Sequence, residues 1–234
     1  MISIVSYIIL FLFGVLIGNF TTTIFHRLPR NIMISGFDQK TTRPPFCSNC
    51  GHLLRFYEYL PILSWFSTFG KCNYCHTPIT KSYIMLEVLL GFTAMILYFL
   101  LGQNLEYFFL YFCFAALILL NIFIYLEHNF IPAILTLSII ILGMIFRTLT
   151  QGEIFSWLAC LLLAFIISIW IVQRHHSNYY LAHLILPASL WCNNYGLLIF
   201  GLILLGLYLV KIISKKITYI IAIVTMFILS LYFL

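Results

Sequence analysis

The sequence predicts an all-α polytopic membrane protein of about eight transmembrane helices, with one substantial polar loop between the first two. Three observations predict it. Of 234 residues, 63% are hydrophobic and only 8% charged, where a soluble globular protein carries about 25% charged residues. Apolar runs recur along the whole chain at the length of about 20 residues that a bilayer core demands. The basic residues are also unevenly placed. Seven of the twelve (Arg27, Arg30, Lys40, Arg43, Arg55, Lys71 and Lys81) lie between the first two apolar runs, the asymmetry that retains a loop in the cytoplasm.

The first run, Ile2 to Phe20, follows no basic segment and precedes no small-residue cleavage site. It reads as a retained helix, not a signal peptide. Further spans are expected over 83–101, 107–126, 131–146, 154–173, 181–195, 197–214 and 217–234. The sixth contains Pro187 and runs into Asn193 and Asn194. With the amino terminus outside, the segments 27–81, 127–130, 174–180 and 211–216 face inward. Eleven of the twelve basic residues then lie inside, among them Arg174, Lys211, Lys215 and Lys216, and Arg147 is the exception. The implied organisation is a first helix over 1–25, a small cytoplasmic domain over 26–82 and a transmembrane bundle over 83–234. Pro29, Pro44, Pro45, Pro61 and Pro78 exclude long helices from the small domain. No internal repeat or low-complexity linker is visible. The net charge of +6 follows from the cytoplasmic bias and indicates no nucleic acid; the partner demanded by composition is the lipid bilayer.

The polar loop carries the most specific signal. Cys47 and Cys50 form one C-x-x-C pair, Cys72 and Cys75 a second, with 21 residues between the pairs. Two residues between cysteines let one tight turn aim both sulfurs at a single ion, and two such turns complete a tetrahedral Zn²⁺ site. The loop is thus expected to be zinc-ribbon-like, its separation just beyond the usual ribbon range. Disulfides are the competing reading, and a cytoplasmic loop, where thiols stay reduced, argues against them. Gly51 suits the first tight turn. His52 and His76 read as polar loop residues, and Cys113, Cys160 and Cys192 as small hydrophobes in apolar spans. A closed four-sulfur site has no open position for chemistry, so the ion is expected to supply folding free energy.

These residues resemble the type IV prepilin peptidase family, membrane enzymes that remove the leader from type IV prepilins and pseudopilins and then methylate the new amino terminus. Gly18, Phe20 and His26-Arg27-Leu28-Pro29 match the end of the family's first helix, and the cysteine pairs match its cytoplasmic loop. Between the pairs, Glu58-Tyr59-Leu60-Pro61-Ile62-Leu63-Ser64-Trp65 resembles the family's D/E-N-I-P-x-L-S-W, and Gly70 also fits. After them, Ile79 to Tyr83 and then Glu87 follow its I-S-x-R-Y-P-x-x-E-L stretch. The likeness is specific over residues 14–92. It implies the bacterial inner membrane, a prepilin or pseudopilin amino-terminal helix as partner, and S-adenosylmethionine as methyl donor, with Gly70 and Glu58 as candidate cofactor-binding residues.

The catalytic half departs from the pattern. The family cleaves with two aspartates, and the position of the first holds Tyr125, within Ile124-Tyr125-Leu126-Glu127-His128-Asn129-Phe130-Ile131-Pro132-Ala133. The second aligns with Asn178, within His175 to Leu181. Aspartyl proteolysis needs two carboxyl groups whose mutual repulsion makes one an acid and the other a base. Asn178 does not titrate, and Tyr125, with a pKa near 10, is a poor base. Among the remaining acids, Glu87 and Glu127 are the candidates for a rebuilt pair, while Glu106 and Glu153 lie at the opposite membrane face. Glu127 otherwise reads as an interfacial residue, and His175, His176 and His183 as a solvated basic stretch. Two functions remain open: an enzyme that has lost peptidase activity but keeps N-methylation, or a non-catalytic pilin or secretion-system assembly protein.

Overall fold

A computed structural model describes residues 4–32, 46–102, 104–150, 162, 164–166, 168–169, 179–191, 199–204 and 214–232. The chain divides into two compact units, Met1–Phe123 and Ile124–Leu234.

The first unit is built on three long helices. Helix α1 (Ile4–Arg27) runs into a 3-10 turn, Leu28–Arg30, with Pro29 at its start. Asn31, at φ 53°, closes this turn by donating its N–H to the Leu28 carbonyl at 3.2 Å. A second 3-10 turn, Phe56–Glu58, and the short helix α2 (Leu63–Ser67) lie in the polar loop. Helix α3 (Lys81–Leu101) and helix α4 (Leu105–His128) follow. Asn129, at φ 58°, donates to the Tyr125 carbonyl and ends α4, a left-handed cap of the kind asparagine tolerates.

Helices α1 and α3 run antiparallel in close contact. Phe11 meets Phe92 near one end, and Phe25 meets Tyr83 near the other, ring centroids 5.3 and 5.7 Å apart. Between them the backbones approach through glycine. A Cβ on Gly18 would stand 2.6 Å from the Glu87 Cα, and one on Gly14 would strike the Leu90 carbonyl and, at 2.8 Å, the Gly91 Cα. Gly14 and Gly18 are four residues apart, the small-xxx-small spacing by which helices pack tightly in lipid. Helix α4 joins through Phe13, whose ring lies 5.4 Å from Phe112.

The second unit contains the end of α4, helix α5 (Ala133–Thr150), helix α6 (Tyr179–Trp191, with Pro187 inside it) and helix α7 (Lys215–Tyr232). Trp191 stacks on Phe146 at 5.1 Å and donates its indole N–H to the Ile139 carbonyl at 3.1 Å. Arg147 is buried and its Nε donates to the Leu190 carbonyl at 2.6 Å. Its charge therefore sits at the carboxyl end of α6, where helix carbonyls carry partial negative charge.

Among the described residues, four helices are long and apolar enough to cross a membrane: Ile4–Arg30, Lys81–Leu101, Leu105–His128 and Lys215–Tyr232. A shorter apolar helix covers Ala133–Leu149. The chain is an all-α polytopic membrane protein. The expected spans at 154–173 and 197–214 lie largely outside the described residues.

Gly18→Val should separate α1 from α3 and cost about 1–3 kcal/mol, the usual penalty of overpacking. Gly201→Ala is the control, because nothing lies within 4 Å of its added Cβ. Thermal unfolding in detergent checks both. Equal stability of the two variants would contradict the close crossing.

Candidate metal centre and adjoining cavity

The sulfurs of Cys47, Cys50, Cys72 and Cys75 all lie within 4.8 Å of one another. Those of Cys47 and Cys75 are 3.7 Å apart and unbonded. Two bonds of about 2.3 Å at a tetrahedral angle separate sulfurs by roughly 3.8 Å, so the cluster fits one tetrahedrally held ion and not a disulfide.

Each cysteine pair sits on the same backbone device. The Cys47 amide donates to the His52 carbonyl and the Gly51 amide to the Cys47 carbonyl, both at 2.9 Å. In the second pair the Cys72 amide donates to Thr77 at 3.0 Å and the His76 amide to Cys72 at 2.9 Å. A single antiparallel bridge closes each turn, Phe46 with Leu53 and Lys71 with Pro78. The loop thus contains a structural repeat that the residue types conceal. Both turns need a left-handed residue, supplied by Gly51 at φ 70° and His76 at φ 57°. They are tied together by the Asn49 side-chain amide, which donates to Thr77 Oγ1 at 2.7 Å, and by the His52 ring against Tyr74.

Two of the thiols, Cys75 and Cys50, are shifted in opposite directions. Hydrogen bonds from the Thr77 hydroxyl and amide, and from Asn49, hold the Cys75 thiol down at about 5. Cys50 is pushed up to about 11: a hydrogen bond from the His52 amide opposes the shift, and desolvation with the other three sulfurs outweighs it. Close negative sulfurs repel one another, and a bound cation removes that conflict.

Beside the cluster lies a cavity of about 250 Å³, enclosed by the end of α1, the polar loop and the start of α3. Helix α1 contributes Asn19, Thr22, Thr23 and His26, spaced to share one helical face. Cys47 and Cys72 form part of the wall. Glu58 and Glu87 both line it. Glu58 is buried; one oxygen accepts the Arg55 amide and the other the Asn73 side-chain amide, each at 2.8 Å. Burial opposes its charge, but these hydrogen bonds and the Arg55 guanidinium prevail, leaving its carboxyl below the ordinary value. Since Asn73 stands between Cys72 and Cys75, Glu58 links the cavity wall to the second cysteine turn.

Glu87 is buried on α3 and accepts the Ile62 amide at 2.7 Å. Ile62 has φ 60° and ψ −52°, an outlier for a β-branched residue that costs about 1–3 kcal/mol and persists only where its surroundings enforce it. The Glu87 carboxyl group supplies that enforcement. Gly70 has a different role. At φ 66°, its added Cβ would meet the Trp65 indole at 2.9–3.3 Å. Trp65 lines the cavity, and its indole N–H is buried without a partner among the described residues.

Residues 12–101 match the Bacterial Peptidase A24 N-terminal domain. A prepilin leader peptidase/N-methyltransferase of Vibrio cholerae is 30% identical over 151 residues, 60% of this chain and 57% of that protein. One of Aeromonas hydrophila is 29% identical over 166 residues, 60% and 54%. One of Myxococcus xanthus is 35% identical over 85 residues, 36% and 23%. These matches support kinship of the chain with the type IV prepilin peptidase family. It spans less than two thirds of the length of these relatives. No solved structure matches it. The cysteine cluster and the cavity both fall within the part that matches the family's amino-terminal domain.

Tyr125, which the resemblance aligns with a peptidase aspartate, lies in the second unit. Tyr125 is 5% exposed, its ring 4.8 Å from that of Tyr219. Glu127 is exposed at the end of α4. It lies in the second unit and Glu87 in the first. His183 is half-buried, with Nδ1 2.8 Å from Thr136 Oγ1. Asn178, His175, His176, Arg174, Asp38, Cys160 and Cys192 lie outside the described residues. Sequence reasoning gave no cavity role to Asn19, Thr22, Thr23, His26 or Trp65, although His26 and Trp65 stand in the motifs that carry the resemblance. The first four could have been found as a polar stripe at helical spacing; Trp65 has no comparable signal.

Gly70→Ala should destabilise the loop by about 1–3 kcal/mol through backbone strain and the Trp65 clash. Hydrogen exchange of residues 46–79 measures it, and unchanged protection would refute the assigned role. For Glu58, a folded-state value below the unfolded one means stability that is fully present above the unfolded pKa. It is lost as pH falls through the lowered value. Loop protection should thus decline on acidification below the ordinary carboxylate range, and less steeply in Glu58→Gln.

Proposed function

We propose that this protein resides in the bacterial inner membrane with its amino terminus outside and its four-cysteine loop in the cytoplasm. There it binds the amino-terminal helix of type IV prepilins or pseudopilins. It has lost aspartic endopeptidase activity and retains amino-terminal methylation from S-adenosylmethionine, with Zn²⁺ as a structural ion in the cysteine cluster. The observation that carries this reading is the cavity, bounded by two cysteine ligands and two glutamates, inside the stretch that matches the family domain.

The residues present suit such a cofactor. An unpartnered indole N–H at Trp65 and the carboxyl groups of Glu58 and Glu87 complement a cationic ligand rich in hydrogen-bonding groups. When bound, the cofactor supplies an electrophilic methyl group on a positively charged sulfur. The chain must hold the acceptor amine beside it and receive the proton that amine loses. Glu87 is assigned that proton, because among the described residues only one of its oxygens accepts a hydrogen bond, from the Ile62 amide. Glu58 is assigned to shape the wall, since both its oxygens already accept hydrogen bonds. Cys47, Cys50, Cys72 and Cys75 would hold the zinc that fixes the wall.

Peptidase loss rests on Tyr125 and Asn178. A buried phenol packed against a second tyrosine offers no carboxyl group to activate water. A rebuilt Glu87–Glu127 pair is the remaining route to cleavage. The second reading, a non-catalytic pilin or secretion-system assembly protein, is favoured by the same aromatic pair.

The test is mass spectrometry of a candidate prepilin, and of its leaderless form, after coexpression with this chain. The leaderless pilin is expected to gain one methyl group while the precursor keeps its leader. Glu87→Gln, which still offers Ile62 an acceptor, should slow methylation by about a hundredfold or more. Leader removal that disappears in Glu127→Gln would overturn the loss of peptidase activity. Copurification with neither change would favour the binding role.

A further inference from the structure

We propose that Leu63, Phe66 and Phe69 form an apolar foot that dips into the phospholipid leaflet on the loop's side of the membrane. The inference does not depend on the enzymatic reading.

Helix α2 has two unlike faces. Ser64, Trp65 and Thr68 line the cavity. Leu63, Phe66 and Phe69 point away from it, 65%, 59% and 88% exposed. Three large hydrophobes clustered on one surface mark a contact.

The hydrogen bond from the Ile62 amide to Glu87 identifies the partner, because it fixes the level of the foot. Glu87 is six residues into α3, about 9 Å past its first residue at 1.5 Å per residue. On α1 that level is Gly18, packed against the Glu87 Cα. Both helices are long and apolar enough to cross a bilayer. The residue after Ile62 therefore stands beside the membrane-spanning part of the bundle, not beyond its end. Large side chains are exposed on the same two helices near this level, Phe20 on α1 and Met85 on α3.

Non-helical backbone at such depth must satisfy its own polar groups, and many amides of this segment are so paired. The amides of residues 62–64, 66 and 68–71 all donate, Ile62 to Glu87 and the others to carbonyls between Leu60 and Thr68. The hydroxyls of Ser67 and Thr68 both donate to the Ser64 carbonyl. Lys71 and Lys81 are exposed near the foot's end of the loop, where ammonium groups suit the phospholipid headgroups.

The test places the photocrosslinker p-benzoylphenylalanine at position 66, 69 or 74 of the full zinc-loaded chain. Crosslinking is carried out in phospholipid nanodiscs and in native membranes, with position 92 on α3 as a lipid-facing reference. Mass spectrometry of the labelled peptides is expected to find phospholipid adducts at 66 and 69 roughly tenfold above those at 74, as for an inserted apolar face. Adduct levels at 66 and 69 no higher than at 74 overturn the proposal. So does capture of another polypeptide in place of lipid. Should the crosslinker disturb the fold, as judged by lost zinc, Phe66→Trp and Phe69→Trp replace it. Brominated phospholipids should quench their added fluorescence, and absence of quenching overturns the proposal equally.

Discussion

The structure of the first unit depends on the glycine-mediated approach of α1 to α3. In lipid the hydrophobic effect does not draw helices together, so close packing of small residues has to do so. Gly14 and Gly18 let α1 reach the backbone of α3 at Leu90 and Glu87. The polar loop leaves from one helix and returns to the other, so both its ends are fixed at one place. With its ends fixed, the loop spends less conformational entropy on closing around its cysteines. The same crossing sets Glu87 where its carboxyl group can accept the Ile62 amide. Helix packing, loop placement and the shape of the cavity are therefore one problem with one solution.

Much of this was legible in the sequence, for identifiable reasons. Cysteine pairs announce themselves because thiolate ligation fixes the spacing, and the four sulfurs do converge. Apolar runs located α1, α3, α4 and α7, although each helix extends past the expected run. Hydropathy marks where lipid begins, whereas capping residues such as Asn31 and Asn129 mark where the helix stops. Gly70 stood out by resemblance alone, and its physical reason became clear only with Trp65 against it. Trp65 itself, and the link from Glu58 to Asn73, depend on contacts between distant segments that no local pattern encodes. The two cysteine pairs announced two tight turns, while the matching backbone hydrogen bonds that make them alike are not written in the side chains.

The two units bear differently on the chemistry. In the first, acidic, indole and hydroxyl groups line a partly open cavity next to the cysteine cluster. In the second, the Tyr125 ring packs on the Tyr219 ring. An aromatic pair of this kind stabilises a helix contact by packing. Arg147 shows a similar economy: a cation in an apolar setting, engaged by the Leu190 carbonyl.

The two cysteine turns are alike in hydrogen bonding but not in ease. Gly51 adopts the left-handed conformation freely, whereas His76 carries a Cβ and adopts it at φ 57° against a bias of about 1 kcal/mol or more. The second turn is consequently a sprung clasp and the first a slack one. If the sulfurs lose what they jointly grip, the clasp should open from His76. Through Asn73 that release would reach Glu58, so the state of the ion would be felt at the cavity wall.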